Sequence, residues 1–102
     1  MNIRIEGNNI RFKISRVELK RLNQGGALTQ STSIGAHPIF DLNIVPKTLV
    51  NEALELHTEP SIWTLFVDTQ TIKEKMSSKP TRDGLNVTQG SLSLILLVDI
   101  RR

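Results

Sequence analysis

Alternating apolar and polar positions dominate the chain and predict a structure rich in β-strands. The alternation runs over residues 2–6, stops at Gly7-Asn8-Asn9, and resumes over residues 9–14. Residues two apart share one face of a strand, and Gly and Asn tolerate the positive φ that tight turns require. The first fourteen residues therefore predict a β-hairpin with a basic outer face and one apolar face, which consists of Ile3, Ile5, Ile10, Phe12 and Ile14.

A short helix is predicted immediately after this hairpin. Ser15 and Glu18 have the spacing of a capping box, in which each side chain bonds the backbone amide of the other residue. Leu19 and Leu22 follow three residues apart, which places them on one helical face. Gly25-Gly26 ends the segment, so the helix is expected over residues 16–23.

The strand-to-helix junction recurs near residue 68 and suggests an internal repeat. Trp63, Leu65 and Val67 alternate as a strand, and Asp68 is a suitable N-cap for a second helix. A shift of 53 residues superposes residues 10–14 on 63–67 and, without a gap, 39–45 on 92–98. This shift indicates a duplicated β-α-β-β unit. The alternative is that any two strand–helix–strand segments share these periodicities.

The other segments complete a strand-rich prediction. Residues 28–34 are polar and predict an exposed edge strand, and residues 39–45 predict a strand between Pro38 and Pro46. Residues 92–100 are mostly apolar, with an uninterrupted run over 94–98, which is typical of a central strand buried on both faces.

Residues 49–57 are ambiguous, because their apolar positions fit both a helical face and an alternating strand, and we favour the strand. The expected fold class is α+β in a single domain spanning residues 1–102. Its architecture would be a predominantly antiparallel sheet or small open barrel with two short helices.

The opening residues resemble a known family. Residues 3–11 read Ile-Arg-Ile-Glu-Gly-Asn-Asn-Ile-Arg, and a Ser-capped helix carrying Glu18 follows. This is similar to a family of small uncharacterised bacterial proteins that begin with an Ile-Arg-Ile-x-Gly-Asn-x-Ile-Arg pattern. The resemblance extends through residues 62–67 and 94–98. It supports the fold and implies no catalytic residues, because that family has no assigned activity.

Composition narrows the range of chemistry that the chain can perform. The sequence contains no cysteine, which excludes disulfides, thiolate metal sites and thiol nucleophiles. Its start has no apolar signal segment, and its longest apolar run is too short to cross a bilayer. We therefore expect a cytoplasmic protein that does not act at a membrane.

The sequence contains no recognisable catalytic, metal or cofactor site. His37 and His57 are twenty residues apart and lack the spacing of a metal motif. Glu52, Glu55 and Glu59 would share one face of a helix, but a solvated acidic face is the expected outcome. No phosphate-binding glycine motif and no nucleophile elbow are present. We expect no cofactor and no metal, and an enzyme is the less favoured class.

Charge is distributed unevenly along the chain. Residues 1–21 carry six basic and two acidic groups, whereas residues 37–68 carry one basic and five acidic groups. If the hairpin and the last strand are neighbours, the basic residues of both chain ends would form one patch, consisting of Arg4, Arg11, Lys13, Arg16, Arg101 and Arg102. Such a patch can bind phosphates or an acidic protein surface. A solvated strand face that discourages edge pairing is the alternative.

The favoured function is a non-catalytic binding or protein-interaction domain, with a homo-oligomer, such as a homodimer, among its expected forms. The alternative is a nucleic-acid-binding accessory protein that uses the basic patch. Only four residues are aromatic, which disfavours single-strand recognition by base stacking. An enzyme with an unrecognised site is the third class.

Overall fold

The computed structural model describes residues 1–76 and 84–99. In the first half of the chain, the elements are β1 (Asn2–Glu6), β2 (Asn9–Ile14), α1 (Arg16–Asn23), β3 (Leu28–Ile34) and β4 (His37–Lys47). In the second half they are β5 (Leu54–Glu59), β6 (Ile62–Asp68), α2 (Thr69–Thr71), β7 (Leu85–Gln89) and β8 (Leu92–Val98). One π-helical turn, Ile72–Met76, continues α2.

The strands form two mixed sheets of four strands each. Sheet A has the order β1-β2-β8-β7, and sheet B has the order β3-β4-β6-β5. In each sheet two antiparallel hairpins meet at a central parallel pair, which is β2 with β8 in sheet A and β4 with β6 in sheet B. A mostly β fold with two short helices, compatible with α+β, is therefore confirmed. Most of the strand pairs are antiparallel, but they belong to two open mixed sheets rather than to the one predominantly antiparallel sheet or small open barrel that the pattern predicted.

The element order β-β-α-β-β occurs twice, and the two halves exchange hairpins. Sheet A combines the first hairpin of the first half, β1-β2, with the second hairpin of the second half, β7-β8, and sheet B contains the other two hairpins. The connection that contains each helix therefore runs from one sheet to the other. The 53-residue shift matches Phe12 to Leu65 correctly. However, Leu94 and Leu96 correspond in burial and register to Leu42 and Ile44, a shift of 52. The ungapped superposition was therefore wrong by one residue where it aligned β4 with β8. An error of one residue exchanges the inner and outer faces of a strand.

One face of each sheet packs into a shared core. The buried residues form a single cluster that draws on both sheets and both helical segments. The strand residues are Ile10, Phe12, Ile14, Leu28, Leu42, Ile44, Leu54, Leu56, Leu65, Val67, Leu85, Leu94, Leu96 and Val98, and the helical ones are Leu19, Leu22 and Ile72. The opposite face of each sheet points away from this core.

Both predicted helix starts are confirmed. The Ser15 hydroxyl accepts the Glu18 N–H at 3.1 Å, and a Glu18 carboxylate oxygen accepts the Ser15 N–H at 2.8 Å. α1 then spans Arg16–Asn23, as predicted, and Gly25 follows with a φ of 86°. At the second junction the Asp68 carboxylate accepts the Thr71 N–H at 3.1 Å and begins α2.

Strand β4 is longer than the prolines at its predicted ends suggested. Pro38 lies within β4 opposite Ser33, where the β3–β4 register shifts, so the irregular pairing tolerates a missing donor. Pro46 lies past Ile44, which is the last β4 residue paired with β3. Among the described strands, β4 has a neighbour on one side only at this point, which is a position that proline tolerates.

Two other expectations are corrected in detail. The ambiguous segment 49–57 is a strand only from Leu54, and residues 48–53 form no strand or helix. β8 occupies a central position, but only its inner residues are fully buried, whereas Ile95 and Leu97 on the other face are half-buried. Sheet A has a core on one side only, so the apolar run did not imply burial on both faces.

Candidate interaction face

The outer face of sheet A aligns three of the predicted basic residues. Arg4 on β1 lies opposite Arg11 on β2, and Arg11 in turn lies beside Ile95 on β8. In the next row Lys13 lies between Asn2 and Leu97. We call this surface the basic face, defined by the outward-facing residues of β1, β2 and β8: Asn2, Arg4, Glu6, Asn9, Arg11, Lys13, Ser93, Ile95 and Leu97.

Two shallow depressions on the basic face bring these groups together. One, of about 180 Å³, is lined by Arg4, Arg11, Lys13, Leu97 and Asn2. The second, of about 300 Å³, shares Arg4 and Arg11 and also includes Ile95 and Glu6 among its lining residues. Cations and aliphatic side chains therefore border the same concave surface.

The basic face is only partly neutralised by its own carboxylate. Arg4 Nε lies 2.7 Å from Glu6 Oε1, and both side chains are about two-thirds exposed, so solvent weakens the pair. Within residues 1–76 and 84–99, no carboxylate lies within 4.0 Å of Arg11 or Lys13. Like charges directly opposite each other in a sheet are destabilising, and Arg4 opposite Arg11 is such a pair.

The remaining predicted patch residues are not in these strand rows. Arg16 is the first residue of α1 and is exposed beyond the end of β2. Arg101 and Arg102 lie outside the described residues. Sequence reasoning missed Ile95 and Leu97, because the apolar run of β8 was assigned wholly to the core, and it left out Glu6 on β1 because the patch was defined by its cations. The alternation of Arg11 and Lys13 on β2 indicated the cations of this face, but only the pairing of β2 with β8 shows which apolar residues lie beside them.

The outer face of sheet B has the opposite charge. We call it the acidic face, and its carboxylates are Asp41, Glu55, Glu59 and Asp68, with one lysine, Lys47. Lys47 Nζ lies 4.8 Å from the centre of the Phe66 ring, and the His57 ring meets the same ring edge-on at 5.0 Å. Glu55 and Glu59 share this face because they are four residues apart on a strand, whereas Glu52 lies in the 48–53 segment.

Two carboxylates hold the helix starts and have shifted pKa values. Burial alone would raise the pKa of Glu18. The hydrogen bond from the Ser15 N–H and the contact with the Met1 ammonium, at 3.0 Å, outweigh burial and hold the pKa below its usual value. At Asp68 the Leu49 N–H, at 2.9 Å, is the main cause of a lowered pKa. Hydrogen bonds from the Thr71 hydroxyl and N–H add to it.

The histidines do not form a pair. His37 lies opposite Ile34 at the tip of the β3–β4 hairpin, whereas His57 lies opposite Thr64 on the acidic face, with Nε2 3.3 Å from Glu55. No group of three or more potential metal-binding side chains occurs in the described parts of the chain. No helix in those parts is both long and apolar enough to cross a membrane.

These observations define a small mostly-β protein of two open mixed sheets with oppositely charged outer faces. The chain belongs to a family of unknown function (DUF7009), whose model matches residues 1–99. Among curated proteins and solved structures, the comparisons found no match.

Proposed function

We propose that this protein is a non-catalytic interaction domain that binds an acidic protein segment through its basic face. The observation that carries the proposal is that Arg4, Arg11 and Lys13 lie in two adjacent rows that end at half-buried Ile95 and Leu97. Cations placed opposite each other cost stability, and apolar side chains beside them offer area to a partner. The acidic side chains of such a segment would neutralise the cations, and its aliphatic side chains would cover Ile95 and Leu97.

A protein ligand fits this face better than a nucleic acid does. Ile95 lies in the same depression as Arg4 and Arg11, and a protein segment can cover it with an aliphatic side chain, which a phosphate backbone lacks. The strand rows of the face contain no aromatic side chain on which a base could stack. Nucleic-acid binding is therefore the second candidate, supported by the cations alone.

Charge attraction between two copies would not give a closed dimer. The basic face of one copy would meet the acidic face of the next, and the two faces belong to different sheets. Contacts between different patches close only into rings or else continue as open arrays. This layout favours a different protein as the ligand of the basic face. The absence of cysteine from the sequence is compatible with the reducing cytoplasm as the site of this interaction.

Fluorescence anisotropy with two labelled probes tests the proposal. One probe is a twenty-residue peptide of alternating Glu and Leu, and the other is a twenty-base-pair DNA duplex. We expect the peptide to bind more tightly than the duplex, and Arg11→Glu to weaken peptide binding by about tenfold or more. Raising the salt concentration should weaken binding further.

Lys20→Glu is the matched control, because Lys20 is an exposed cation on α1 outside the basic face. The two variants change the net charge equally, so a difference between their affinities for the peptide reports the position of the charge. Equal weakening by both variants would show that net charge alone drives binding. Tighter binding of the duplex, lost in Arg11→Glu, would favour the nucleic-acid function instead.

A further inference from the structure

The four edge strands of the two sheets are not equally protected. β5 and β7 face each other, and the Gln89 side chain on β7 takes the place of a strand neighbour for Leu56 on β5. Its Oε1 accepts the Leu56 N–H at 2.8 Å and its Nε2 donates to the Leu56 carbonyl at 2.9 Å. β1 carries Arg4 and Glu6, and charges on an edge discourage further pairing.

Strand β3 has neither kind of protection. It is the last strand of sheet B, and β4 is its only neighbour among the strands of residues 1–76 and 84–99. The whole stretch of residues 22–40 contains no Lys, Arg, Asp or Glu, so no charge lies on β3 or on its turn. An exposed edge without charge or proline is a template for another strand.

The outer half of this hairpin also extends beyond its own sheet. β4 pairs with β6 only from Asp41 onwards, so residues 32–40 form a two-stranded arm. Ile34 and Ile39 on the arm are 71% and 45% exposed. A two-stranded ribbon is marginally stable in water, and a third strand would support it.

We infer that the β3 edge is the interface for a second copy of this chain, paired antiparallel about a two-fold axis. With the axis at Ser31, Thr29 lies opposite Ser33 of the second copy and Leu28 lies opposite its Ile34. Each row is then uncharged, and the exposed Ile34 lies at the end of the pairing, opposite Leu28, whose own side chain is buried in the core. The two sheets B join into one sheet of eight strands.

A second copy is the occupant that the sequence of β3 fits best. Antiparallel pairing of one strand with itself uses the same patch on both copies, so the assembly closes as a dimer. The uncharged strand LTQSTSI offers no charge with which to select a different partner. Because one seven-residue strand provides a small contact, we expect a reversible dimer rather than an obligate one.

Sedimentation velocity over a range of protein concentrations tests this inference on the full chain. We expect the chain to shift reversibly from monomer to dimer as its concentration rises. Ser31→Lys should weaken the dimer by about tenfold or more, because two lysines would meet at the axis. Within a monomer that lysine lies opposite Asp41, so the fold is retained. Thr58→Lys, at an exposed position of β5 on the other side of sheet B, is the matched control and should leave the dimer intact.

Single-cysteine variants give a second, independent readout because the chain has no cysteine of its own. Directly opposed residues in antiparallel strands have Cα separations of about 4.5–5.5 Å, which a disulfide can bridge. Ser31→Cys should therefore form a covalent dimer under mild oxidation much faster than Thr58→Cys. A chain that stays monomeric at millimolar concentration overturns the inference. A dimer that is insensitive to Ser31→Lys, or equal cross-linking rates for the two cysteine variants, would overturn it as well.

Discussion

Sheet A and sheet B share one register, yet their outer faces differ at every central position. The row Arg4–Arg11–Ile95 of sheet A corresponds to His57–Thr64–Asn43 of sheet B, and Asn2–Lys13–Leu97 corresponds to Glu55–Phe66–Val45. Facing the core, however, the row Phe12–Leu96–Leu85 corresponds to Leu65–Ile44–Leu28, and all six residues are buried.

This difference shows that the inner positions stabilise the fold, whereas the outer positions are available for recognition. Inner positions must be apolar in both sheets, because they share one core and close packing penalises a polar or smaller residue. Outer positions are free to differ, since nothing in the described parts of the chain covers them. The repeated topology therefore supports a basic face on one side and an acidic face on the other.

The largest expected effect is on the inner rows, where the two sheets should behave alike. Phe12→Ala and Leu65→Ala remove fully buried side chains at equivalent positions. We expect losses of about 3–5 and 2–5 kcal/mol in the free energy of unfolding, measured with urea. Val17→Ala, at a side chain 79% exposed, should change it by less than about 0.5 kcal/mol. If only one of the two core variants were destabilised, the two sheets would not contribute equally to the core.

Truncation of the two N-caps should show a smaller and unequal effect. Ser15→Ala removes a hydrogen bond to α1 and should cost about 1 kcal/mol. Asp68→Ala should cost about 1 kcal/mol more, because it also leaves the Leu49 N–H without its acceptor. Thermal unfolding of both variants measures the difference, with Arg16→Ala at an exposed helix position as the control. Equal costs would mean that the Leu49 contact adds nothing to stability.

Acid should weaken both junctions, since the pKa values of Glu18 and Asp68 are lowered in the folded protein. A carboxylate with a lowered folded pKa stabilises the protein above its unfolded pKa, which is about 4. That contribution is lost as the pH falls from about 4 through the folded pKa. We expect Glu18→Gln and Asp68→Asn each to flatten the dependence of unfolding free energy on pH in this range. Unchanged slopes in both variants would remove these two groups from the acid response.

The smallest effect is expected on the outer face. Arg11→Thr gives sheet A the residue type that sheet B has at Thr64 and removes the like-charge pair with Arg4. The variant should gain a few tenths of a kcal/mol in stability at low salt, and the gain should shrink as salt screens the charges. Urea unfolding at two salt concentrations measures this. A loss of stability would indicate that Arg11 makes a favourable contact.

Local signals in the sequence predicted most of the elements. The capping box at Ser15 and the N-cap at Asp68 depend on residues three apart, so a short stretch of chain contains all the information. The alternating strands β2 and β6 were equally local. Arg4, Arg11 and Lys13 were named from the hairpin alone, because their pairing lies within one hairpin. Ile95 and Leu97 were missed as neighbours, since their contact with β2 spans about eighty residues of chain.

The sequence by itself determined where both helices begin and where most of the strands lie, because those depend on periodicity and on caps a few residues long. Only the tertiary structure decided that hairpins of different halves pair in parallel, that two sheets form, and that Gln89 covers the edge of β5. Such pairings join residues far apart in the chain, and many partner strands offer the same alternating pattern. Packing around one shared core selects among them.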